Sequence, residues 1–468
     1  MTKKPKQKSN WGRRFNCAPG VLVAMLCLAI GATEVAANQS VEVSLTQQQI
    51  SAFQAVPETE QVRMLIMLCK SGKHELADQL LQHFPLQGQH AANRTLYIEG
   101  LILHGRKDYT GAVEKYRAAL ASDPKLTLVR SDLAQTLVVL EQDESAIHHL
   151  KLLAADAPDD QAASGIRAFI DQVDERSPFK TNAYISLAPS SNINNGSKHA
   201  VVYLPVLGGY QEIADGSREN SGVGLAVGFN LGYSKRLGND FSVVAAFNGE
   251  GKIYDDSDYN TYSLSQSVEV RRVFERGYLG LGMVASENLK NDTFGLSYHS
   301  YGPRISARLA ITPQNTIAAS AVHEWRDVAD SVNSDGTALL LQASLTHAFD
   351  SSFTATINAG FDKIKANSKI ISYDTYSGGL GFYKELPMGI TLDASGQVRW
   401  SDFDGIYPLI GLSREDTRLT GTIGLIKRDF NIFGFAPAIE YSYTENISNI
   451  DLFDFNSHSI DVRLTRQF

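Results

Sequence analysis

A chain of 468 residues is too long for one ordinary domain, so at least two regions are expected. Its net charge of −8 becomes −13 once residues 1–37, with their six bases and single acid, are removed; such acidity argues against nucleic acid, which rewards clustered Lys and Arg. Of three cysteines only Cys69 lies beyond residue 37, which excludes an internal disulfide in an exported protein.

Lys3, Lys4, Lys6, Lys8, Arg13 and Arg14 open the chain with no acid among them. An apolar run of ten residues follows at 21–30, and Val35-Ala36-Ala37 offers small residues to signal peptidase. The pattern predicts a secretory signal peptide over residues 1–37, cleaved between Ala37 and Asn38. The run is shorter than the roughly 18 residues a membrane helix needs. The residues before Cys17 and Cys27 do not form a lipidation box. No later apolar run is long enough either, so a mature chain that sits in a membrane does so as a barrel.

Residues 38–177 are rich in Leu, Ala, Gln, Glu and His and predict a helical domain. Gly100, Ala112, Tyr116, Ala119 and Pro124 stand at the relative offsets of a tetratricopeptide repeat. Thirty-four residues beyond the last four come Ala146, Leu150, Leu153 and Pro158, and upstream Ala77, Leu81 and Phe84 echo the pattern at an offset of 35. Small residues are needed where paired helices cross, large ones beside them, and proline to end the second helix. An ordinary helical bundle with accidental periodicity is the alternative. Repeat arrays present a groove for extended polypeptide rather than a catalytic pocket. The adjacent His148 and His149 point about 100° apart on a helix, so they do not share a metal and are expected on a solvated face.

After Pro178 the period becomes two. Val223, Leu225, Val227, Phe229, Leu231 and Tyr233 alternate with small or polar residues, as do Phe353, Ala355, Ile357, Ala359 and Phe361. Ile390, Leu392, Ala394, Val398 and Trp400 do the same. One apolar and one polar face over about ten residues suits a strand crossing lipid with its other side wet. A soluble sandwich also alternates, but three features favour a barrel. Aromatics such as Tyr233, Tyr254, Tyr262, Trp325, Phe349 and Trp400 gather near strand ends. Expected inward positions carry Glu250, Glu269, Arg271, Arg308, Asp393, Arg399, Glu440 and Arg463, which a dry core would not tolerate. Finally Ile460, Val462 and Leu464 alternate up to Phe468, an ending that resembles the signal read by the barrel-assembly machinery.

Fourteen strands are predicted near 181–188, 221–236, 241–254, 261–274, 277–289, 294–311, 315–328, 338–349, 353–366, 373–386, 389–403, 415–430, 435–447 and 458–468. The number is even, as bacterial single-chain barrels require. Tight turns at 237–240 and 386–389 are expected on the periplasmic side, and the longer polar connections 189–220, 329–337 and 404–414 on the outside or in the lumen. The expected organisation is therefore a signal peptide (1–37), a periplasmic tetratricopeptide-like domain (38–177) and an antiparallel outer-membrane β-barrel (178–468).

No enzyme is expected. His299 and Ser300 are adjacent and point to opposite faces of a strand. The pairs Asp255-Asp256 and Glu415-Asp416 are expected in solvated turns. Nothing resembles a Gly-rich phosphate loop or zinc spacing, so no catalytic residue, cofactor or metal is assigned.

A signal peptide, a short periplasmic repeat domain and a fourteen-strand barrel, in that order, resemble the surface lipoprotein assembly modifier (Slam-like) outer-membrane translocons of the type XI secretion system. Ala188-Pro-Ser-Ser-Asn-Ile-Asn-Asn-Gly-Ser197, at the exit of the first strand, looks like that family's junction motif. The resemblance covers nearly all of the mature chain. It implies protein transport and secretion: a client, either a surface lipoprotein or a secreted haem- or metal-scavenging protein, is taken to the cell surface or the medium. The residues agree with this unaided. A groove for an extended chain, tethered by a short linker at 174–180 so that it must sit under a pore mouth, captures a client and feeds it outward. With no nucleotide site, the driving energy would come from client folding or differential binding. The other partners expected are outer-membrane lipid and, during biogenesis, the assembly machinery, the barrel itself being monomeric. An exopolysaccharide export porin also joins helical repeats to a barrel, though with longer arrays and a pore of one charge sign; a simple diffusion porin leaves the repeats without a purpose.

Overall fold

The computed structural model describes residues 47–465, apart from 89, 239, 291–296, 330–331, 429 and 431–434. Ala37, Asn38 and Phe468 lie outside the described residues. The chain forms two compact units, one up to Gln87 and one from Gly88 onward.

In the first unit, helices α1 (Gln47–Gln54), α2 (Glu58–Lys70) and α3 (His74–His83) enclose Phe53, Leu65, Ala77 and Leu80. The ring of Phe84 stacks at a tilt on Phe53, 5.7 Å between centroids. Glu58 and Glu60 in the first turn of α2 and Lys70 in its last complement the helix dipole. Cys69 is buried, and burial, with a smaller push from the Asp78 charge, raises its thiol pKa to about 11. An unreactive thiol is the consequence. Maleimide is accordingly expected to leave Cys69 unlabelled at neutral pH in the native chain and to label it in denaturant.

The second unit begins with α4 (Ala91–Gly105), α5 (Tyr109–Ser122), α6 (Thr127–Val139), α7 (Asp143–Ala155) and α8 (Asp160–Arg176). Asp108 caps α5 through the Gly111 amide at 3.0 Å, and Asp159 caps α8 through the Ala162 amide at 2.8 Å. Gly100 of α4 lies against Tyr116 of α5, where a Cβ would sit 2.4 Å from the ring. Ala112, Tyr116, Ala119 and Ala146 are fully buried. Pro124 and Pro158 follow α5 and α7, where the expected pattern needs a helix to stop. Ala134, Leu150 and Leu153 form a cluster covered by Ile166, Phe169 and Ile170 of α8. Helix α8 thus closes the array as a terminal cap does in repeat proteins.

Only two residues separate α8 from the first barrel strand, β1 (Phe179–Ser190). The hairpin β2 (Val201–Leu204) and β3 (Gly209–Glu212) stands apart as a separate two-stranded sheet. The barrel continues with β4 (Gly222–Leu237), β5 (Phe241–Ile253), β6 (Thr261–Phe274), β7 (Gly277–Lys290), β8 (Tyr298–Ala310) and β9 (Asn315–Val328). It is completed by β10 (Gly336–Asp350), β11 (Phe353–Ala366), β12 (Tyr373–Leu386), β13 (Ile390–Tyr407), β14 (Leu412–Lys427), β15 (Ala436–Ser448) and β16 (Phe455–Thr465). Fourteen antiparallel strands close as β1 pairs with both β4 and β16.

Cross-strand partners share a face, so the register carries one side round the whole ring. Val270 of β6 pairs with Leu281 of β7, and Leu281 with Ile305 of β8; all three are exposed and apolar, as are Val462 and Leu464 on β16. That exterior is a lipid-facing belt. Replacing Leu281, 64 % exposed, by Arg is expected to destabilise the barrel by about 2–4 kcal/mol if it lies at the bilayer midplane. The same change at Ser267, on the opposite face of β6, should cost little, as compared by urea unfolding midpoints in lipid.

One connection differs from expectation. Residues 404–414 are not a long loop: β13 and β14 run on to Tyr407 and from Leu412, with a register irregularity between Asp402 and Ile406. Beyond the lipid nothing demands apolar alternation, so a ladder rich in acids continues unseen by periodicity. For the same reason Glu415-Asp416 is no solvated turn: Asp416 is buried in β14 and held by Arg414 at 2.5 Å.

The connection 189–220 is ordered by the Asn-rich segment. Asn192 donates to the carbonyls of Gly196 and Asn456, both at 2.9 Å, and Asn194 donates to that of Arg218 at 2.7 Å while accepting from the Asn220 amide. Position 196 must be Gly, because a Cβ would lie 2.2 Å from the Arg218 oxygen. Lys198 and His199 both reach Asp454, each at 3.0 Å, tying this connection to the β15–β16 hairpin.

Candidate pore and the helical cap beneath it

The barrel has one end of tight turns and one of longer connections, the asymmetry of outer-membrane barrels, whose short turns face the periplasm. Helices α4–α8 lie at the tight-turn end, so the array is periplasmic and the Asn-rich connection is outside.

All eight charges expected inward are inward by register: Glu250, for example, pairs across to Ser263, and Arg399 to Arg418 and Ser377. Five of them are held in ion pairs. Arg271 bonds Glu269 at 2.5 Å, Arg399 bonds Asp362 at 2.9 Å and Arg463 bonds Glu440 at 3.3 Å. Several of the guanidinium groups also lie over rings, Arg271 above Tyr278 at 4.1 Å and Arg326 above Tyr298 at 5.1 Å. A cavity of about 460 Å³ in this wall is lined by Tyr298, Arg304, Arg326, Gln342, Tyr373 and Arg399 among others. Balanced charge and arginine–aromatic stacks offer many weak contacts to a polypeptide without strong affinity for one charge sign.

The array grips the periplasmic rim at several places. Arg236, ending β4, bonds Asp171 of α8 at 2.7 Å, and Arg276 between β6 and β7 bonds Asp160 at 2.8 Å. Gln314, before β9, donates to the Ala157 carbonyl at 3.4 Å. Lys125 pairs with Asp350 of β10 at 2.9 Å, and the Gly389 amide before β13 donates to the Ala121 carbonyl at 3.2 Å. Lys151 of α7 feels Lys180 of β1 and Arg308 of β8, and its ammonium pKa is lowered first by enclosure in protein and then by those two charges.

A further contact is buried. Arg130 of α6 bonds Glu385 of β12 at 2.7 Å, both side chains wholly inaccessible, and its guanidinium also donates to the Pro124 carbonyl at 2.6 Å. Arg428 approaches the same carboxylate at 2.9 Å and the Tyr383 hydroxyl donates to it at 3.1 Å. His148 lies 3.8 Å from it. The imidazole of His149 accepts from Arg130 at 3.2 Å. Burial first, then the charges of His148 and Arg130, hold the His149 pKa well below its ordinary value. The two histidines are therefore not on a solvated face: His149 is buried beside Arg130, and His148 turns towards the barrel wall. Their helix docks on a second domain, which helical periodicity alone does not reveal.

Arg130 was the signal available in sequence. It occupies the apolar stripe of α6 with Leu133, Ala134 and Leu137, where a charge demands a partner. The partner is 255 residues away and carries no local mark. His299 and Ser300 sit on opposite faces of β8, with Ser300 buried.

The profile described as surface lipoprotein assembly modifier matches residues 179–468, and a tetratricopeptide-repeat profile matches 103–168. Surface lipoprotein assembly modifier 2 of Haemophilus influenzae is 21 % identical over 384 residues, covering 77 % of this chain and 75 % of that protein. Surface lipoprotein assembly modifier 1 of Neisseria meningitidis serogroup B is 22 % identical over 402 residues, covering 82 % and 77 %. Among solved structures, a FadL homologue of Pseudomonas aeruginosa aligns with a TM-score of 0.35 and 12 % identity over 66 % of this chain and 94 % of that one. With a closed barrel, a periplasmic repeat array and a family match over the entire barrel, the chain belongs to the surface lipoprotein assembly modifier family of outer-membrane proteins.

Proposed function

We propose that this chain captures a client protein in the periplasm and delivers it through its barrel to the cell surface. The observation that supports the reading is the docking of a tetratricopeptide array on the periplasmic rim of a pore whose wall carries paired charges and stacked arginines. An array of this kind binds extended polypeptide, and the pore beyond it gives that polypeptide a wet path. The client is a surface lipoprotein or a secreted haem- or metal-binding protein; the names of the relatives speak for the first. Type XI secretion is the corresponding pathway. We further propose that residues 1–37 are removed between Ala37 and Asn38, and that the assembly machinery reads the last strand, including Val462, Leu464 and Phe468.

The test compares a strain lacking the chain with its complemented parent, reading the surface proteome and the secreted polymer together. Loss of one or a few surface proteins, with the same proteins retained in the periplasm, is the expected result. Loss of polymer alone would end the proposal in favour of polysaccharide export. Loss of neither would leave a simple pore.

A further inference from the structure

The rim contacts do more than attach the array to one side of the barrel. Arg236 on β4 and Glu385 on β12 are eight strands apart in a ring of fourteen, nearly opposite, and α6 and α8 reach both. The array therefore crosses the mouth. Its pairs at Asp171, Asp160 and Asp350 are partly exposed and open to screening by salt, so none of them holds a closed position firmly. The Arg130–Glu385 pair differs in being fully buried.

We propose that Glu385, held between Arg130 of the array and Arg428 of the barrel, is a latch that keeps the array closed across the periplasmic mouth, and that it must part for a client to pass. A buried pair suits a reversible closure. Closed, each charge is paired; open, water rehydrates Arg130, while Glu385 keeps Arg428, which reaches it at 2.9 Å from the same wall. Removal of the carboxylate alone leaves two guanidinium groups facing each other in a dry site, and that arrangement favours opening. An apolar contact of the same area would hold the array without offering a second satisfied state.

The need to open rests on the translocon reading; the closure itself does not, and the experiment separates them. The full chain is reconstituted in planar lipid bilayers, as native protein and as Glu385→Gln and Arg130→Met, after heat-modifiable migration has shown each barrel to be folded. Native protein should show rare openings, and both variants should raise open probability at least tenfold with the same step size; cells carrying them should admit vancomycin. Native and variant channels equally open would overturn the closure, and all equally closed would overturn the latch. In a second arm, Lys125→Cys with Asp350→Cys are joined by a reducible bis-maleimide, the buried Cys69 staying unlabelled. Client display should stop and return on reduction; display that persists through the cross-link would overturn the requirement for opening. If the variants open the pore but the native chain displays no client, the latch stands and the translocon reading fails.

Discussion

Deletion of residues 38–177 should leave an assembled barrel that displays none of its clients. The barrel's backbone is satisfied by its own ladders, each strand pairing with two others, and none of that pairing uses a helix. Glu385 loses Arg130 but keeps Arg428 and the Tyr383 hydroxyl. Capture, in contrast, is assigned wholly to the array. Periplasmic pools of the clients should rise while other outer-membrane proteins stay constant, measured by protease shaving of intact cells with heat-modifiable migration as the control for assembly. Undiminished display from the truncated chain would show that the array is dispensable. Single substitutions in a groove of many weak contacts should each cost about 1 kcal/mol or less outside a hot spot, so the deletion is the informative variant.

Tyr116→Ala should be the most damaging single change within the array. Its ring is fully buried, lies over Gly100 and meets Tyr97 at 6.2 Å between centroids. Emptying such a site removes apolar burial and leaves a cavity, costing about 3–5 kcal/mol. Gly100→Leu attacks the same contact from the other helix, because the added side chain has no room beside the ring. Hydrogen exchange in α4 and α5 of the full chain should accelerate by two to three orders of magnitude in either variant, with exchange in the strands unchanged. A loss below about 1 kcal/mol from Tyr116→Ala would show that the two helices do not depend on this contact.

The strands were legible because lipid outside and water inside impose a strict alternation, and the segments expected around Val223, Phe353 and Ile390 lie within β4, β11 and β13. Legibility faded where one of those constraints ends. Ile406 and Ser413 stand on a ladder beyond the lipid, outside the strands expected at 389–403 and 415–430, where alternation no longer distinguishes strand from loop. The repeats could be read because Gly100 and Tyr116 are close in sequence and their contact has a fixed spacing. The docking of the array could not. His149 and Glu385 are unremarkable in their own segments, and Arg130, though out of place in an apolar stripe, does not name its partner; their meaning comes from a tertiary contact between α6, α7 and β12.

Gln342 and Leu341 are neighbours on β10 that face opposite ways, Gln342 lining the lumen cavity and Leu341 on the exposed apolar exterior. A photo-reactive residue placed at each in turn, in cells that make the full chain and its clients, asks directly whether a polypeptide passes through the barrel. Delivery through the lumen predicts light-dependent adducts with one or a few exported proteins from position 342, absent from position 341 and lost when residues 38–177 are removed. No protein adduct at 342 in cells that still display their clients, or equal adducts at both positions, would contradict it.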